Sequence, residues 1–235
     1  MAPRYAVYFT PEAGTPLDEF GRHWLGRDDN TQAKSRATVP AVPGIAPERV
    51  RALTESAWRY GFHGTLKPPF ELNPASSHDA LLRAARIFAR GLAPVQLPLL
   101  ELAIIGKFVA LTPVESSAPL ENLAAQCVRA FEGFRVPLTP EQMAHYTRNK
   151  LTVHQTQMLE HWGYPYVMEE FRFHISLTDR IDDPHEREAM MKAARALADS
   201  VLTTPIVIRD LAVFYQPERD QPMTVLERIP FGRAK

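Results

Sequence analysis

Four histidines in this 235-residue chain stand two residues before a serine or threonine: His63-Gly-Thr65, His145-Tyr-Thr147, His154-Gln-Thr156 and His174-Ile-Ser176. An imidazole and a hydroxyl held side by side suit phosphate-ester chemistry. Imidazole titrates near pH ~6.5, so one copy can be neutral and take a proton while a second is protonated and gives one. A hydroxyl can donate to the non-bridging oxygens, where charge accumulates as the ester breaks. Two such units facing each other could cut a phosphodiester without a metal. The pH dependence would then be bell-shaped, with both arms expected near neutrality.

Only two of the four lie in matching surroundings. Tyr60-Gly-Phe-His63-Gly-Thr65-Leu66 and Phe171-Arg-Phe-His174-Ile-Ser176-Leu177 are both strand-like, whereas His145 and His154 lie in a helical stretch without the aromatic-x-aromatic run. Side chains alternate across a strand. That alternation predicts His63, Thr65 and Lys67 on one face, with Phe62, Gly64 and Leu66 on the other. It equally predicts Arg172, His174 and Ser176 on one face, opposite Phe171, Phe173, Ile175 and Leu177. His63, Thr65, His174 and Ser176 are therefore the candidate catalytic groups, and Lys67 and Arg172 candidate cations for a bound anion. Tyr8 should share a side with Ala6, against Val7 and Phe9, as a candidate wall of the substrate cleft. Phe108 takes the equivalent place later in the chain.

These segments belong to a longer repeat. Arg4-Tyr-Ala-Val-Tyr-Phe-Thr10-Pro11 is a strand ending in Thr-Pro, followed by a helix opening at Pro16-Leu17-Asp18 and running to about Leu25. Phe108-Val-Ala-Leu-Thr112-Pro113 and Pro119-Leu120-Glu121 repeat the order. Pro at a first helical position and an acidic first turn favour a helix start. After each histidine comes a helix with apolar residues at helical spacing, about His78 to Arg90 and Pro184 to Leu202. Paired strands follow, Leu97 to Ile105 with Phe108 to Leu111, and Ile206 to Phe214 with Thr224 to Ile229. The fold expected is α+β and duplicated: each lobe an antiparallel sheet with helices on its outer face, related by a pseudo-two-fold around a central cleft. The domain expected is a single bilobal unit over 1–235, with lobes of about 1–106 and 107–235 and strand exchange between them left open. Outside the repeat lie two insertions, 28–57 and 139–166. The first is a polar loop (Asp28 to Pro47) and a short helix (Glu48 to Ala57). The second opens at Thr139-Pro140-Glu141, an N-cap and first turn, and closes at Trp162-Gly163-Tyr164-Pro165-Tyr166, a helix stop and turn.

Composition narrows the partners. The 27 basic and 27 acidic residues cancel, unlike the large positive field of a protein that tracks long nucleic acids. A small phosphorylated substrate, a nucleotide or an RNA end is expected instead. No apolar run approaches the ~18 residues of a membrane span and no leader is read at the N-terminus, so no membrane association and a cytoplasmic location are expected. Cys127 falls on the apolar face of a helix, as a core thiol. His145, His154 and His161 are the alternative constellation, for a metal hydrolase, but zinc sites pair ligands at shorter spacing. No metal and no cofactor is expected. A second alternative keeps the histidines as grips for nucleotide or RNA-end phosphates, without turnover.

His63-Gly-Thr65-Leu66 and His174-Ile-Ser176-Leu177 resemble the signature of the 2H phosphoesterase superfamily, two His-x-Thr/Ser-hydrophobic motifs on a duplicated α+β fold. The likeness covers nearly the whole chain. It is closest to a bacterial branch found with phosphonate-degradation systems, on Arg59-Tyr-Gly-Phe-His63-Gly-Thr65-Leu-Lys67, Trp162-Gly-Tyr-Pro-Tyr-Val167 and Glu169-Glu-Phe-Arg-Phe-His174. The resemblance implies hydrolysis of cyclic phosphodiesters, including nucleoside 2′,3′-cyclic phosphates. For this branch it implies a ribose cyclic phosphate arising in carbon–phosphorus bond cleavage.

Overall fold

The computed structural model describes residues 2–27, 36, 38–148 and 150–232. Much of the polar loop expected over Asp28 to Pro47 therefore lies outside the described residues.

The repeated helix starts are built from the same parts. β1 (Arg4–Phe9) is followed by α1 (Pro16–Leu25), capped by the Thr15 hydroxyl, which accepts from the Asp18 amide. After α2 (Pro47–Leu53) and α3 (Glu55–Tyr60) come β2 (Gly64–Glu71), α4 (His78–Arg90), β3 (Val95–Leu97) and β4 (Leu100–Ile105). The second half runs β5 (Phe108–Pro113), α5 (Ala118–Ala130), α6 (Pro140–Thr147), α7 (Val153–Trp162), β6 (Ile175–Ser176), α8 (Pro184–Leu202), β7 (Ile206–Ile208), β8 (Asp210–Gln216) and β9 (Thr224–Pro230). Ser117 caps α5 as Thr15 caps α1, with Pro in the first turn of both. A side-chain oxygen there satisfies an amide that the helix leaves unpaired.

The two expected sheets are joined into one. Seven strands lie in the order β4–β5–β6–β2–β1–β8–β9, every neighbouring pair antiparallel, while β3 and β7 form a separate two-stranded ladder. The order is symmetric about the β6–β2 junction: β5 mirrors β1, β4 mirrors β8, and β9 is an additional edge. β4 from the first half pairs with β5, and β8 from the second pairs with β1. Helices α1, α4, α5 and α8 cover one face. Their apolar residues, among them Leu17, Trp24, Leu81, Leu123 and Met190, form one core with Val7, Phe9, Leu66, Ile175, Leu211 and Val213 from the sheet. The Trp24 indole donates to the Leu177 carbonyl at 2.8 Å, tying α1 to the end of β6. The opposite face carries a smaller cluster of Ala6, Tyr8, Ala212, Phe214 and Met223.

Several elements differ from the sequence expectation. The helix expected over Glu48 to Ala57 is two helices, broken at Thr54, whose hydroxyl donates to the Val50 carbonyl at 2.7 Å. The run Leu97 to Ile105 is divided by Pro98, and Ile206 to Phe214 is divided at Arg209, so that β3 and β7 leave the main sheet to pair with each other. The histidines sit one residue before their strands, not within them: β2 begins at Gly64, and the paired part of the second motif is only Ile175–Ser176.

The largest correction concerns Lys67. Against β1, Tyr8 is opposite Thr65 but Val7 is opposite Lys67, so Leu66 is an extra residue and β2 is bulged. A bulge sets two successive side chains on the same side. Leu66 and Lys67 thus both turn to the helical face, and the prolines that follow, Pro68 and Pro69, have no amide to restore a regular ladder.

At the junction itself β2 and β6 meet through Gly64 opposite Ile175. A Cβ on Gly64 would lie 2.4 Å from the Phe173 ring, so only glycine lets that ring cross the strand. Gly64→Ala is expected to destabilise the protein by about 1–3 kcal/mol, the range for overpacking a core. Phe173→Leu in the same chain should recover part of the loss. Denaturant unfolding of the single and double variants measures both.

Candidate active site

Both histidines are held in the same way. His63 Nδ1 lies 2.9 Å from the Gly61 carbonyl, and His174 Nδ1 lies 2.8 Å from the Arg172 carbonyl. A carbonyl only accepts, so in each ring Nδ1 carries a proton and donates it. Each Nε2 is then left to take or give a proton. The backbone two residues earlier fixes the tautomer in both halves.

The strand register sets the partners. With Gly64 opposite Ile175 in an antiparallel pair, Thr65 comes opposite His174 and Ser176 opposite His63. Cross-strand neighbours on one face are about 4.5–5.5 Å apart at Cβ. Each imidazole therefore has one hydroxyl from its own motif and one from the other. The Thr65 hydroxyl is 3.3 Å from His63 Nε2. Helical geometry explains why the other two His-x-Thr matches do not build such a unit. His145 and Thr147 are in α6, and His154 and Thr156 in α7, where residues two apart point about 200° apart.

An aromatic ring backs each histidine. Tyr8 stacks on His63, centroids 3.7 Å apart and planes 20° from parallel, and Phe108 lies 5.7 Å from His174. Tyr8 faces the side that strand alternation predicts, yet it is 1% exposed and its hydroxyl points to Met223 Sδ at 3.6 Å. It supports the His63 ring from beneath instead of lining the cleft. Burial pushes its phenol well above the usual range.

Burial also drives the His63 imidazole down to about 4. The Gly61 carbonyl opposes the drop, while the positive fields of His174 and Arg27 add to it. Charging His63 would strip water from a cation that has little to replace it. At neutral pH His63 is therefore neutral, with Nε2 a free base. The acid arm expected near neutrality is displaced downward.

A cavity of about 510 Å³ opens on this face, and Thr65, Phe108, Tyr164, Tyr166, Arg172 and His174 are among its lining residues. Arg172 lies where strand alternation predicts it, beside His174. Its guanidinium donates to the carbonyls of Glu169 (3.0 Å) and Phe171 (2.6 Å) and has no carboxylate partner among the described residues. Lys107 and Arg180 also line the cavity, but both contact Asp182. Lys67 does not reach it. Its ammonium is buried beneath the sheet, donating to the Val128 carbonyl and the Glu132 carboxylate, each at 3.0 Å. Residue-type reasoning missed Tyr164 and Tyr166, which the 139–166 insertion brings over the cavity. The aromatic Trp-Gly-Tyr-Pro-Tyr turn was the signal available for them.

The three other candidate ligands stay apart. His145 lines a different cavity, His154 faces Glu169 at 3.6 Å, and His161 packs on Trp162. No group of three or more His, Cys, Asp or Glu among the described residues is arranged to hold a metal ion. Cys127 is buried in the core, which raises its thiol pKa. Among the described residues no helix is long and apolar enough to cross a membrane.

Residues 65–224 match the model of a family described as a protein of unknown function, DUF1045. The chain is 34% identical over 236 residues to a ribose 1,5-bisphosphate phosphokinase PhnN of Janthinobacterium sp. (strain Marseille), covering 97% of this chain and 51% of the relative. It is 32% identical over 216 residues to a protein of the same name from Laribacter hongkongensis (strain HLHK9), covering 92% and 48%. The chain thus spans about half the length of the curated relatives it matches. Among solved structures it is similar to a phosphoesterase (14% identity, TM-score 0.44, 99% of this chain and 100% of that one). It is similar in the same measure to E. coli LigT complexed with 3′-AMP (14%, TM-score 0.43, 99% and 100%).

Two stability experiments follow from this arrangement. Lys67→Met should lower unfolding free energy by about 1.5–3 kcal/mol, the worth of a hydrogen bond to a charged group, because Val128 O is left buried without its donor. The second concerns acid. The His63 pKa is about 4 when folded and near the ordinary 6.5 of imidazole when unfolded, so between these values the unfolded chain binds a proton that the folded one does not. Stability from this group is complete above pH ~6.5 and is lost as pH falls towards 4. Melting temperatures of the wild type should drop more steeply across that window than those of His63→Gln.

Proposed function

Since the chain belongs to the DUF1045 family, for which no function is described, we propose an activity from its own cleft: a metal-independent phosphoesterase of the 2H type that opens a small cyclic phosphodiester. The observation that carries this is the matched pair of imidazoles, each donating Nδ1–H to the carbonyl two residues earlier. That leaves two Nε2 atoms for one phosphate.

His63, neutral at pH 7, is the base. Its Nε2 takes a proton from water as the oxygen bonds to phosphorus. His174 is the acid, giving its Nε2 proton to the ester oxygen as the ring P–O bond breaks. The product is a phosphomonoester with a free sugar hydroxyl, and the two histidines exchange protons with solvent to reset. Thr65, Ser176 and Arg172 would donate to the non-bridging oxygens, whose charge rises in the transition state. Tyr8 and Phe108 hold the two rings from behind. The Tyr164 and Tyr166 rings offer an apolar wall for the sugar.

The substrate class proposed is a ribose cyclic phosphate, with nucleoside 2′,3′-cyclic phosphates as analogues. The curated relatives carry a name for phosphorylation of ribose 1,5-bisphosphate. Opening a cyclic phosphate on a 5-phosphorylated ribose yields a ribose bisphosphate, so hydrolysis in this half of such a protein would precede phosphoryl transfer. That order fits a role in phosphonate catabolism in a soluble, cytoplasmic setting.

The test is turnover of a panel of cyclic phosphates in the presence of a chelator, with the monoester followed by phosphorus NMR. His63→Ala and His174→Ala should each lower kcat by about 10²–10⁴-fold, the usual worth of a general acid or base. The acid limb of kcat/KM should fall near pH 4, since that ratio reports the free enzyme. Binding without turnover across the panel, or near-wild-type rates in either variant, would refute the two-histidine mechanism.

A further inference from the structure

A second cavity, of about 440 Å³, adjoins the first, and Pro69 lines both. The Tyr146 ring on its wall meets the Tyr164 ring of the first cavity edge to face, centroids 5.8 Å apart. Three arginines line it. Arg219 is paired with Glu71 at 2.7 Å, and Arg135 with Glu132. Arg4 is different. It is half-buried and held by neutral acceptors alone: its Nε donates to Gln216 Oε1 at 2.9 Å and a terminal nitrogen to the Tyr60 hydroxyl at 3.1 Å. It has no carboxylate partner among the described residues.

Gln216 is itself oriented for this task. Its amide nitrogen donates to the Arg219 and Gln221 carbonyls, so its oxygen must face Arg4. Partly burying a guanidinium without a counter-charge is costly unless an anion completes the site. The field of Arg4 reaches the Tyr8 and Tyr146 hydroxyls, lowering the pKa of both against the effect of burial. Arg4 also shares the β1 face with Tyr8, which stacks on His63, and lies four residues, about 13 Å, along the strand from it.

We propose that Arg4, oriented by Gln216 and Tyr60, is the subsite for a second, terminal phosphate on the substrate, one sugar away from the ester being opened. This rests on the phosphoesterase assignment and adds its substrate class: a cyclic phosphodiester of a pentose that also bears a phosphomonoester at C5. A phosphate dianion supplies the charge that Arg4 lacks and accepts from its planar fork. Glu71, opposite Arg4 in the strand register, is neutralised by Arg219; Glu141, at the first turn of α6, is the other carboxylate lining the cavity among the described residues.

The experiment separates this subsite from the chemistry. Ribose 5-phosphate, which has no cyclic ester, is titrated calorimetrically into wild type, Arg4→Gln and Tyr60→Phe. Affinity should fall about 10–100-fold in Arg4→Gln, the loss of charge-assisted hydrogen bonds, and several-fold in Tyr60→Phe, which keeps the ring but frees the guanidinium. Unchanged affinity in both variants would overturn the subsite, since the phosphate would then be bound at the histidines. In turnover, Arg4→Gln should lower kcat/KM 10–100-fold for ribose cyclic phosphates or nucleoside cyclic phosphates with a 5-phosphate, and leave their unphosphorylated counterparts within about twofold. An equal fall for both kinds overturns the proposal and makes Arg4 structural. If wild type turns over neither kind yet binds ribose 5-phosphate through Arg4, the subsite stands and the catalytic assignment fails.

Discussion

The cleft depends on one meeting of strands, Gly64 opposite Ile175. Among the described residues β2 and β6 have no other paired residues, and the two halves of the main sheet join only there. The absence of a side chain on Gly64 is what allows the Phe173 ring to lie across the junction from the helical side. That close approach sets each histidine against the hydroxyl of the opposite motif. A wider junction would leave two separate His-hydroxyl pairs on two sheets, out of reach of one another.

The two faces of the sheet divide the labour. The helical face buries the large core, including the Lys67 ammonium, which is satisfied by a helix carbonyl and a carboxylate as a buried charge must be. The other face keeps only a small apolar cluster, and around it lie the imidazoles, Arg172 and Arg4. A histidine in this setting is poised by burial. His63 is held neutral because the stacked Tyr8 and the surrounding rings exclude water, while the Gly61 carbonyl only partly compensates.

The insertions supply what the duplicated unit lacks. In the phosphoesterase proposed, the symmetric pair of strands would grip only the symmetric part of a substrate, its phosphate. α6, α7 and the Tyr164–Tyr166 turn occur once, on one side of the symmetry axis; α6 walls the second cavity and the turn walls the first. The added edge strand β9 and the turn before it, which carries Arg219, likewise have no counterpart. Selectivity in the proposed reaction would therefore come from the asymmetric parts of the fold.

The duplication, the helix starts and the matched backbone setting of His63 and His174, unlike the helical one of His145 and His154, were legible in the residues. Each rests on local rules: capping, helical and strand periodicity, and the recurrence of one order of elements. Arg172 beside His174, and Tyr8 on the His63 side, follow from the same alternation. Lys67 does not, because a bulge is decided by how β2 must fit against β1, and the extra residue at Leu66 reverses the face of Lys67 before a second irregularity at the prolines shifts the register again. The union of two sheets into one, the break at Thr54 and the departure of β3 and β7 are likewise settled between distant segments. So is the chemistry of His63: its type is written in the chain, but its basicity depends on water excluded by Tyr8 and the rings around it, which only the folded arrangement brings together.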